Sequence, residues 1–272
     1  YSRKDGKTRS QKESSDSSKN SFGLSESLTS RFPYSPFEYK RRETFAVDNI
    51  GGKHVPVVIA DLSKIEKITP AHLQSIGYTY DEATDKWAIG DAAADYVFTG
   101  NQLLNFALPG TLKVILYAAI WTTAEDKEKY FPIYNDSGYS EAEVKSNKLN
   151  FVMIDCYNHA TPVNDYSYLD KLANDTSVVF CLSSTNTNAM QSVRRMFIEF
   201  MNRNIKNPVV LITDSNWQTP DEHLIHFATE TGALFLEGMG DGICLGYSSN
   251  AGMENMKARG RTYLEVKDIY QF

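Results

Sequence analysis

The chain has 272 residues, 42% of them hydrophobic, which is enough to bury the core of one large domain or of two small ones. Its formal net charge of -6 at pH 7 argues against a general nucleic-acid-binding protein, because such proteins are normally basic. No apolar run approaches the roughly 20 residues that cross a bilayer, and no apolar segment follows the charged residues 1–9 as it would in a secretory signal. We therefore expect neither nucleic acid nor membrane as a partner, and because the chain begins with Tyr1 we expect it to be a segment of a longer protein.

Composition divides the chain into three parts. Residues 1–30 are rich in Ser and Lys and cannot bury enough apolar surface to offset the loss of conformational entropy, so we predict a disordered linker. An α/β domain is predicted at 31–248, and the segment at 249–272 has no assigned structure. The domain begins with RFPYSPFEYKRR, whose aromatic rings beside Lys40, Arg41 and Arg42 could stack on nucleic acid; the acidic balance of the chain instead favours rings that pack on the domain surface.

Short apolar strands are predicted from residue 43 onward. They lie at 55–62, 96–99, 112–120, 149–156, 177–182, 208–213, 233–236 and 243–247. Most of them are continuous apolar runs without alternation, which is typical of strands buried on both faces of a parallel sheet.

Two helices are predicted between these strands. The segment 188–204 places Met and Phe side chains on one face at helical spacing, a pattern typical of a helix that packs on a core. The segment 221–231 follows Thr219 and Pro220, a cap and a first-turn proline, and we expect it to stop at Gly232.

About eight strands with interleaved helices predict an α/β fold, either a TIM-barrel-like (β/α)8 domain or an open doubly wound sheet. The links around 96–112 and 236–243 are short for a full crossover helix. A barrel built on them would be irregular or incomplete.

A glycine-spaced turn lies inside GALFLEGMGDGICLG at 232–246, where Gly238, Gly240 and Gly242 alternate with other residues between two predicted strands. Such a turn either reverses the chain tightly or brings bare backbone N–H groups up to an anion. It would follow the seventh predicted strand, near the place where many barrels bind phosphate. A tight strand–strand turn is favoured, and anion binding is the alternative.

Four acids stand at the ends of predicted strands: Asp61, Asp155, Asp214 and Glu237. In a barrel they would lie on the C-terminal rim, where active sites are built, and converging carboxylates could hold a divalent metal. Asp after a strand also commonly caps the next helix, and no Lys, His or phosphate motif joins the set, so the capping interpretation is favoured.

The cysteines and histidines give weak motifs. Cys181, Cys244 and Cys156 lie in apolar runs, form no C-x-x-C pair and predict free, buried thiols in a reducing cytoplasm, the location that we expect. Cys156 and His159 form a single C-x2-H pair, which is insufficient for a zinc site. The remaining candidate pair, at residues 223 and 226, lacks the His spacing and the Glu of a metalloprotease, so we interpret both histidines as structural.

A resemblance to a known family adds to these patterns. The string LEGMGDGICLG resembles the DGLGDGI stretch of the long-form hydroxymethylbutenyl diphosphate synthases of the methylerythritol phosphate pathway of isoprenoid biosynthesis. Further segments, PFEYKRRETFAVDNIGGKHVPVVIADLS, IGYTYDEATDKWAIGDAAADYVFTGNQ, FALPGTLKVI and KNPVVLITDSN, are similar to the extra central domain of the Bacteroidetes forms. The resemblance extends over roughly 37–247 and ends near Ser248, because AGMENMKARGRTYLEVKDIYQF does not align.

The resemblance implies an oxidoreductase that opens the cyclic diphosphate of methylerythritol by reductive dehydroxylation. It implies a [4Fe-4S] cluster reduced by ferredoxin or flavodoxin, an N-terminal substrate barrel, and a C-terminal cluster domain with a C-P-x-C-G-R-T motif. The chain matches only the α/β insert between these domains, which acts as spacer and scaffold in such enzymes. No catalytic residue of the family is therefore carried onto this chain, and its cofactor is expected outside the segment.

Two other functions stay open at this stage. The chain could be an independent barrel enzyme that holds a divalent metal with at least three of the four rim acids. It could also be a docking module for the electron donor, for which the acidic balance is the support.

Overall fold

A computed structural model of the chain describes residues 33–35, 37–156, 166–173, 175–186 and 188–247. The predicted linker at 1–30, the segment at 249–272 and His159 lie outside the described residues.

Eight parallel strands close into a barrel. They are β3 (Val57–Asp61), β6 (Tyr96–Gly100), β7 (Lys113–Tyr117), β8 (Tyr130–Asn135), β9 (Asn150–Asp155), β10 (Val178–Ser183), β11 (Val209–Ser215) and β12 (Gly242–Tyr247). Each strand pairs with the next along the chain, and β12 pairs with β3 to complete the ring. The predicted TIM-barrel-like α/β fold is confirmed.

Two small antiparallel hairpins accompany the barrel. The first joins β1 (Ala46–Val47) to β2 (Ile50–Gly51), and the second joins β4 (Tyr78–Asp81) to β5 (Lys86–Ile89) between β3 and β6. The irregularity expected around 96–112 is also present, because the described link between β6 and β7 contains no helix.

Seven of the eight predicted strands are strands of the barrel, and one prediction is wrong. The apolar run ALFL forms a helix at Ala233–Leu236, since a run of four apolar residues does not distinguish strand from helix by periodicity. The strand of the barrel that the sequence did not reveal is β8, whose YFPIYN contains Pro132, a residue that argues against a central strand. The predicted strand at 112–120 is shorter than expected, because its last residues turn into a helix.

The helices lie outside the barrel. They are α1 (Pro70–Leu73), α2 (Ala118–Trp121), α3 (Asp136–Glu141), α4 (Ser167–Leu172), α5 (Ala189–Asn202), α6 (Pro220–Phe227) and α7 (Ala233–Leu236), with a 3-10 turn at Gln74–Ile76. In α5 the buried face consists of Val193, Met196, Phe197 and Phe200, which confirms the predicted core-packing helix.

The start of α6 is as predicted, but its end is not. Thr219 caps the helix: its Oγ1 accepts from the Glu222 N–H at 3.3 Å, and the Glu222 carboxylate accepts from the Thr219 N–H at 2.9 Å. The expected stop at Gly232 is wrong, because a π-helical turn at Ala228–Gly232 leads straight into α7. Gly232 has helical angles there, with a φ of -61°.

The hairpin β1–β2 covers the end of the barrel at which the strands begin. Val47 and Ile50 are buried and belong to the apolar cluster of the barrel interior. Tyr96, at the start of β6, donates its hydroxyl to the Asn49 side chain at 2.5 Å and to Asp48 at 3.0 Å in the hairpin turn. The opposite end, where the strands finish, is the end that carries the cavity described below.

None of the helices in the described part of the chain has the length and apolar content that are needed to span a bilayer.

Candidate functional site at the barrel mouth

A cavity of about 810 Å³ lies at the end of the barrel where the strands finish. Its floor consists of side chains that point into the barrel: Ile59, Ile115, Ile133, Met153, Cys181 and Cys244. Polar side chains from the strand ends and the following loops form its rim, Asp61, Lys64 and Asp214 among them. This is the end of a (β/α)8 barrel at which ligands and substrates normally bind.

Two of the four predicted acids, Asp61 and Asp214, come together across β12. A Cβ atom built on Gly246 would lie 2.9 Å from Asp61 Oδ2 and 2.4 Å from Asp214 Oδ1. Both carboxylates therefore approach the same stretch of backbone, and only a residue without a side chain leaves them room. The ammonium of Lys64 lies 3.4 Å from Asp214 and completes a mixed charge cluster.

Burial governs the ionisation of Asp61. Desolvation raises its pKa above the ordinary value for an Asp, and the nearby Asp214 adds to the increase. Ser63 opposes the shift by donating its N–H at 2.9 Å and its hydroxyl at 2.6 Å to Asp61 Oδ1, and Lys64 also lowers the pKa. The thiol of Cys244, on the floor beside this cluster, has its pKa raised by burial first and by Asp61 second.

Replacing Asp61 with Asn is expected to stabilise the protein at pH 7. The pKa of Asp61 is higher in the folded than in the unfolded protein, so a proton bound at Asp61 stabilises the folded state. This stabilisation is fully present below the unfolded-state pKa and is lost as the pH rises through the folded-state pKa. Asn carries no charge, so the gain over the wild type should shrink as the pH falls from 7 towards 4. Urea unfolding of the wild type and of the Asp61→Asn protein between pH 7 and pH 4 measures this difference in stability.

The matched control is Asp214→Asn, at a carboxylate whose side chain is 52% exposed and pairs with Lys64. Its effect on the free energy of unfolding should stay within about 1 kcal/mol. A D61N protein that is less stable than the wild type at pH 7 would show that the Ser63 and Lys64 contacts outweigh the burial of the Asp61 charge.

The other two predicted acids do not join the pair. Asp155 ends β9 at the same end of the barrel, where its carboxylate accepts from the Thr185 hydroxyl at 3.1 Å. Glu237 follows α7 instead of a strand, so its predicted position on the rim is wrong: it lies towards the end at which β12 begins. There it binds Arg194 through two hydrogen bonds of 2.7 and 2.5 Å and accepts from the Tyr34 hydroxyl at 3.4 Å.

A metal centre is not assembled from the part of the chain that the structure describes. There, no group of three or more His, Cys, Asp or Glu side chains is placed to hold a metal ion. An independent metal enzyme needs at least three converging acids, and the described rim brings two of them together at Gly246.

The glycine turn joins a helix to a strand, so the favoured prediction of a strand–strand turn is wrong. The N–H groups of Gly238 and Met239 bond back to α7, and that of Asp241 donates to the Val209 carbonyl at 2.7 Å. Gly238 and Gly240 have φ of +77° and +109°, the left-handed region that favours glycine, whereas Gly242 begins β12. Anion binding at this turn, away from the mouth, stays an untested prediction.

The sequence did not single out Asp241, which is the centre of a buried network at this turn. Only 2% of its side chain is exposed. Its carboxylate accepts from Arg41 at 3.0 Å, from the Thr44 hydroxyl at 3.3 Å and from the Val209 N–H at 3.0 Å. The sequence shows Asp241 between two glycines and, far earlier, the adjacent Arg41 and Arg42, but no pattern in it pairs them.

Arg42 is the second buried member of this network. Its guanidinium lies 3.9 Å from Asp241, donates to the carbonyls of Ile205 and Asn207 at 2.8 and 2.6 Å, and lies 5.5 Å from the ring centre of Phe197. Burial lowers the pKa of Arg42 to about 10, which leaves it charged at neutral pH.

The prediction that the aromatic rings of this N-terminal segment pack on the domain holds for Tyr34, which is half-buried against the core, but not for two others. Phe37 and Tyr39 are 91% and 70% exposed, so their rings do not pack on the domain. The basic side chains of Arg41 and Arg42 make the contacts instead, because buried acceptors are available for them at the glycine turn.

The remaining cysteine and histidine candidates have structural surroundings. His223 is buried with its Nδ1 2.7 Å from the Ser215 hydroxyl, and burial lowers its pKa. The ring of His226 stacks on that of Phe227. Burial raises the pKa of the Cys156 thiol, which favours its neutral form.

The fold and the site together define a closed, eight-stranded, TIM-barrel-like α/β domain with a charged and partly aromatic cavity at its mouth. No family model matches the chain. The chain is, however, similar to curated proteins named 4-hydroxy-3-methylbut-2-en-1-yl diphosphate synthase (flavodoxin). It is 27% identical over 205 residues to those of Bacteroides thetaiotaomicron and Phocaeicola vulgatus, and 27% identical over 207 residues to that of Parabacteroides distasonis.

These matches confirm the resemblance found in the sequence. Each covers 75% of this chain, whereas the chain spans 29% of the length of each of these three synthases.

Proposed function

We propose that the chain is the central scaffold domain of a long-form 4-hydroxy-3-methylbut-2-en-1-yl diphosphate synthase and that the domain itself is not catalytic. The observation that carries the proposal is the pattern of coverage. The match takes in 75% of this chain but 29% of the relatives, as expected for one domain of a larger enzyme. The parent enzyme would convert methylerythritol cyclodiphosphate to hydroxymethylbutenyl diphosphate.

The architecture of the barrel supports a spacer. Hairpin β1–β2 covers one end of the barrel, and the buried Asp241 network ties the segment before that hairpin to β11 and to the glycine turn. The closed barrel would in this proposal act as one body between two domains, and its dimensions would set their separation. In this proposal the domain extends over 31–248, with 1–30 as a linker before it and 249–272 as the unassigned segment after it.

The chemistry of the parent enzyme would lie in other segments. We propose that its [4Fe-4S] cluster is held outside this chain, because the described cysteines are not arranged as a cluster motif and burial raises the pKa of the thiols of Cys156, Cys181 and Cys244. Flavodoxin, which the names of the relatives carry, or ferredoxin would supply electrons to the parent. The partners of this domain would then be the flanking barrel and cluster domains.

A segment swap tests the scaffold. Residues 37–247 replace the matching segment of the Bacteroides thetaiotaomicron synthase, and the hybrid gene is introduced into a bacterial strain that lacks its own synthase. We expect the hybrid to restore growth and a synthase with the segment deleted to fail, because the two catalytic domains would lose their spacing. The unaltered Bacteroides gene, expressed with the same electron donor, is the positive control.

The result that contradicts the proposal is a hybrid protein that accumulates in folded form, carries its cluster and does not restore growth. Growth supported by the deletion protein would equally show that the segment is not required as a scaffold.

A further inference from the structure

We propose that the cavity at the barrel mouth is a binding site for a small organic cation, a protonated amine with an apolar body. The proposal goes beyond the scaffold function, and it rests on the shape, the walls and the charge of the cavity.

The size and floor of the cavity suit an apolar body. Its volume of about 810 Å³ lies within the range of small-molecule sites, which is roughly 300–1,000 Å³. The floor is apolar and belongs to the barrel interior, with Ile59, Ile115 and Ile133 contributed by three different strands. Burial of an alkyl chain there would remove apolar surface from water, which favours binding.

The rim offers aromatic surface to a cation. Phe98 and Tyr117 are in edge-to-face contact with ring centres 5.3 Å apart, and both line the cavity. Trp217 lines the same rim and is 49% exposed, although large apolar side chains are more often buried. Cations are attracted to the faces of such rings, most strongly to that of Trp.

The charges that face the cavity are predominantly acidic. Among its described lining residues, the carboxylates are those of Asp61, Asp214 and Glu230, whereas the basic groups are Lys64 and His226. Burial raises the pKa of both Asp61 and Glu230, so each carboxylate would be stabilised by an incoming positive charge. This balance favours a cation over an anion.

The existing ion pair at the rim does not prevent the binding of a cation. Lys64 and Asp214 are 3.4 Å apart, and their side chains are 32% and 52% exposed. Exposed pairs of this kind contribute about 0–1 kcal/mol, so a ligand ammonium held by the apolar floor can displace Lys64 from the carboxylates.

Calorimetric titration of the full 272-residue chain with three matched probes tests the proposal. The probes are n-hexylammonium, 1-hexanol and hexanoate, which share an alkyl chain and differ in the charge of the head group. We expect hexylammonium to bind at least tenfold more tightly than hexanol, and hexanoate to bind more weakly than either. The double variant D61N/D214N should reduce hexylammonium to the affinity of hexanol and leave hexanol binding unchanged.

Retained binding of hexanol shows that the double variant is folded. A second control, Asp170→Asn, removes an exposed carboxylate that is paired with Arg203 and tests for a general effect of charge. Equal binding of hexanol and hexylammonium, tighter binding of hexanoate, or no binding of any probe would overturn the proposal. So would a D170N effect as large as that of the double variant.

Discussion

Replacing Asp241 with Asn is expected to lower the free energy of unfolding by about 3–5 kcal/mol, because removal of one partner of a buried ion pair leaves the other charge uncompensated. The larger loss falls on Arg42, because its side chain is only 6% exposed and its charge would be left buried without a negative partner. Its contacts with carbonyl groups and with an aromatic ring do not replace that negative charge. Arg41 would lose its 3.0 Å bond to the same carboxylate. Urea unfolding followed by circular dichroism measures the loss.

The matched control for Asp241→Asn is Asp170→Asn. Asp170 also binds an arginine, Arg203 at 3.0 Å, but its side chain is 61% exposed, so its loss should change the free energy of unfolding by no more than about 1 kcal/mol. Equal effects of the two substitutions would mean that the Asp241 network does not hold the N-terminal segment to the barrel.

The second large effect is expected for Gly238→Ala. A Cβ atom at this position would lie 2.2 Å from the Lys40 carbonyl oxygen, and the φ of +77° disfavours any L side chain. The left-handed conformation alone costs about 1–2 kcal/mol, and the backbone clash adds to it, so we expect a loss of at least about 2 kcal/mol in thermal or urea unfolding.

Gly232→Ala provides a control of opposite sign in the same stretch of chain. Gly232 has helical backbone angles, and no atom outside its own stretch of helix lies within 4 Å of an added Cβ. Alanine there should raise stability by about 0.5–1 kcal/mol, because it reduces the entropy of the unfolded chain and favours the helix. A destabilised Gly232→Ala protein, or an unaffected Gly238→Ala protein, would contradict the structure of this turn.

The closed barrel could be predicted because buried parallel strands leave a strong pattern of continuous apolar runs. The errors occurred where that pattern is ambiguous. ALFL at 233–236 is apolar in either a strand or a helix, and tertiary context makes it the end of a helix that passes through Gly232. In β8, Pro132 lacks the backbone N–H of an ordinary central strand residue; it pairs with Leu116 of β7, and the pairing with β9 begins only after it, at Ile133.

The candidate site was predicted in part. Strand-end acids were the correct place to look for Asp61 and Asp214, because the ends of neighbouring parallel strands meet. Their meeting point at Gly246 could not be predicted, since it depends on the register that places β3 and β11 on either side of β12. Glu237 was predicted on the rim only because the residues before it, 233–236, were predicted to form a strand; they form a helix instead.

The buried Asp241 network was outside the reach of the sequence for a different reason. Its partners Arg41 and Arg42 are about 200 residues away, separated from it by 200 and 199 positions in the numbering. Local patterns carry no information on such contacts, so Arg41 and Arg42 were weighed only as basic neighbours of the aromatic rings and not as partners of Asp241.

The turnover number of the purified hybrid synthase, measured with reduced flavodoxin, tests the scaffold proposal most directly. At 27% identity most side chains of the segment change in the swap, so a catalytic contribution from them would be lost, whereas a shared barrel shape would be kept. We predict a turnover number within about tenfold of the unaltered Bacteroides thetaiotaomicron enzyme, a difference of about 1.4 kcal/mol in the activation barrier. A folded, cluster-loaded hybrid whose turnover falls by about a thousandfold or more would contradict the account and assign chemistry to this domain.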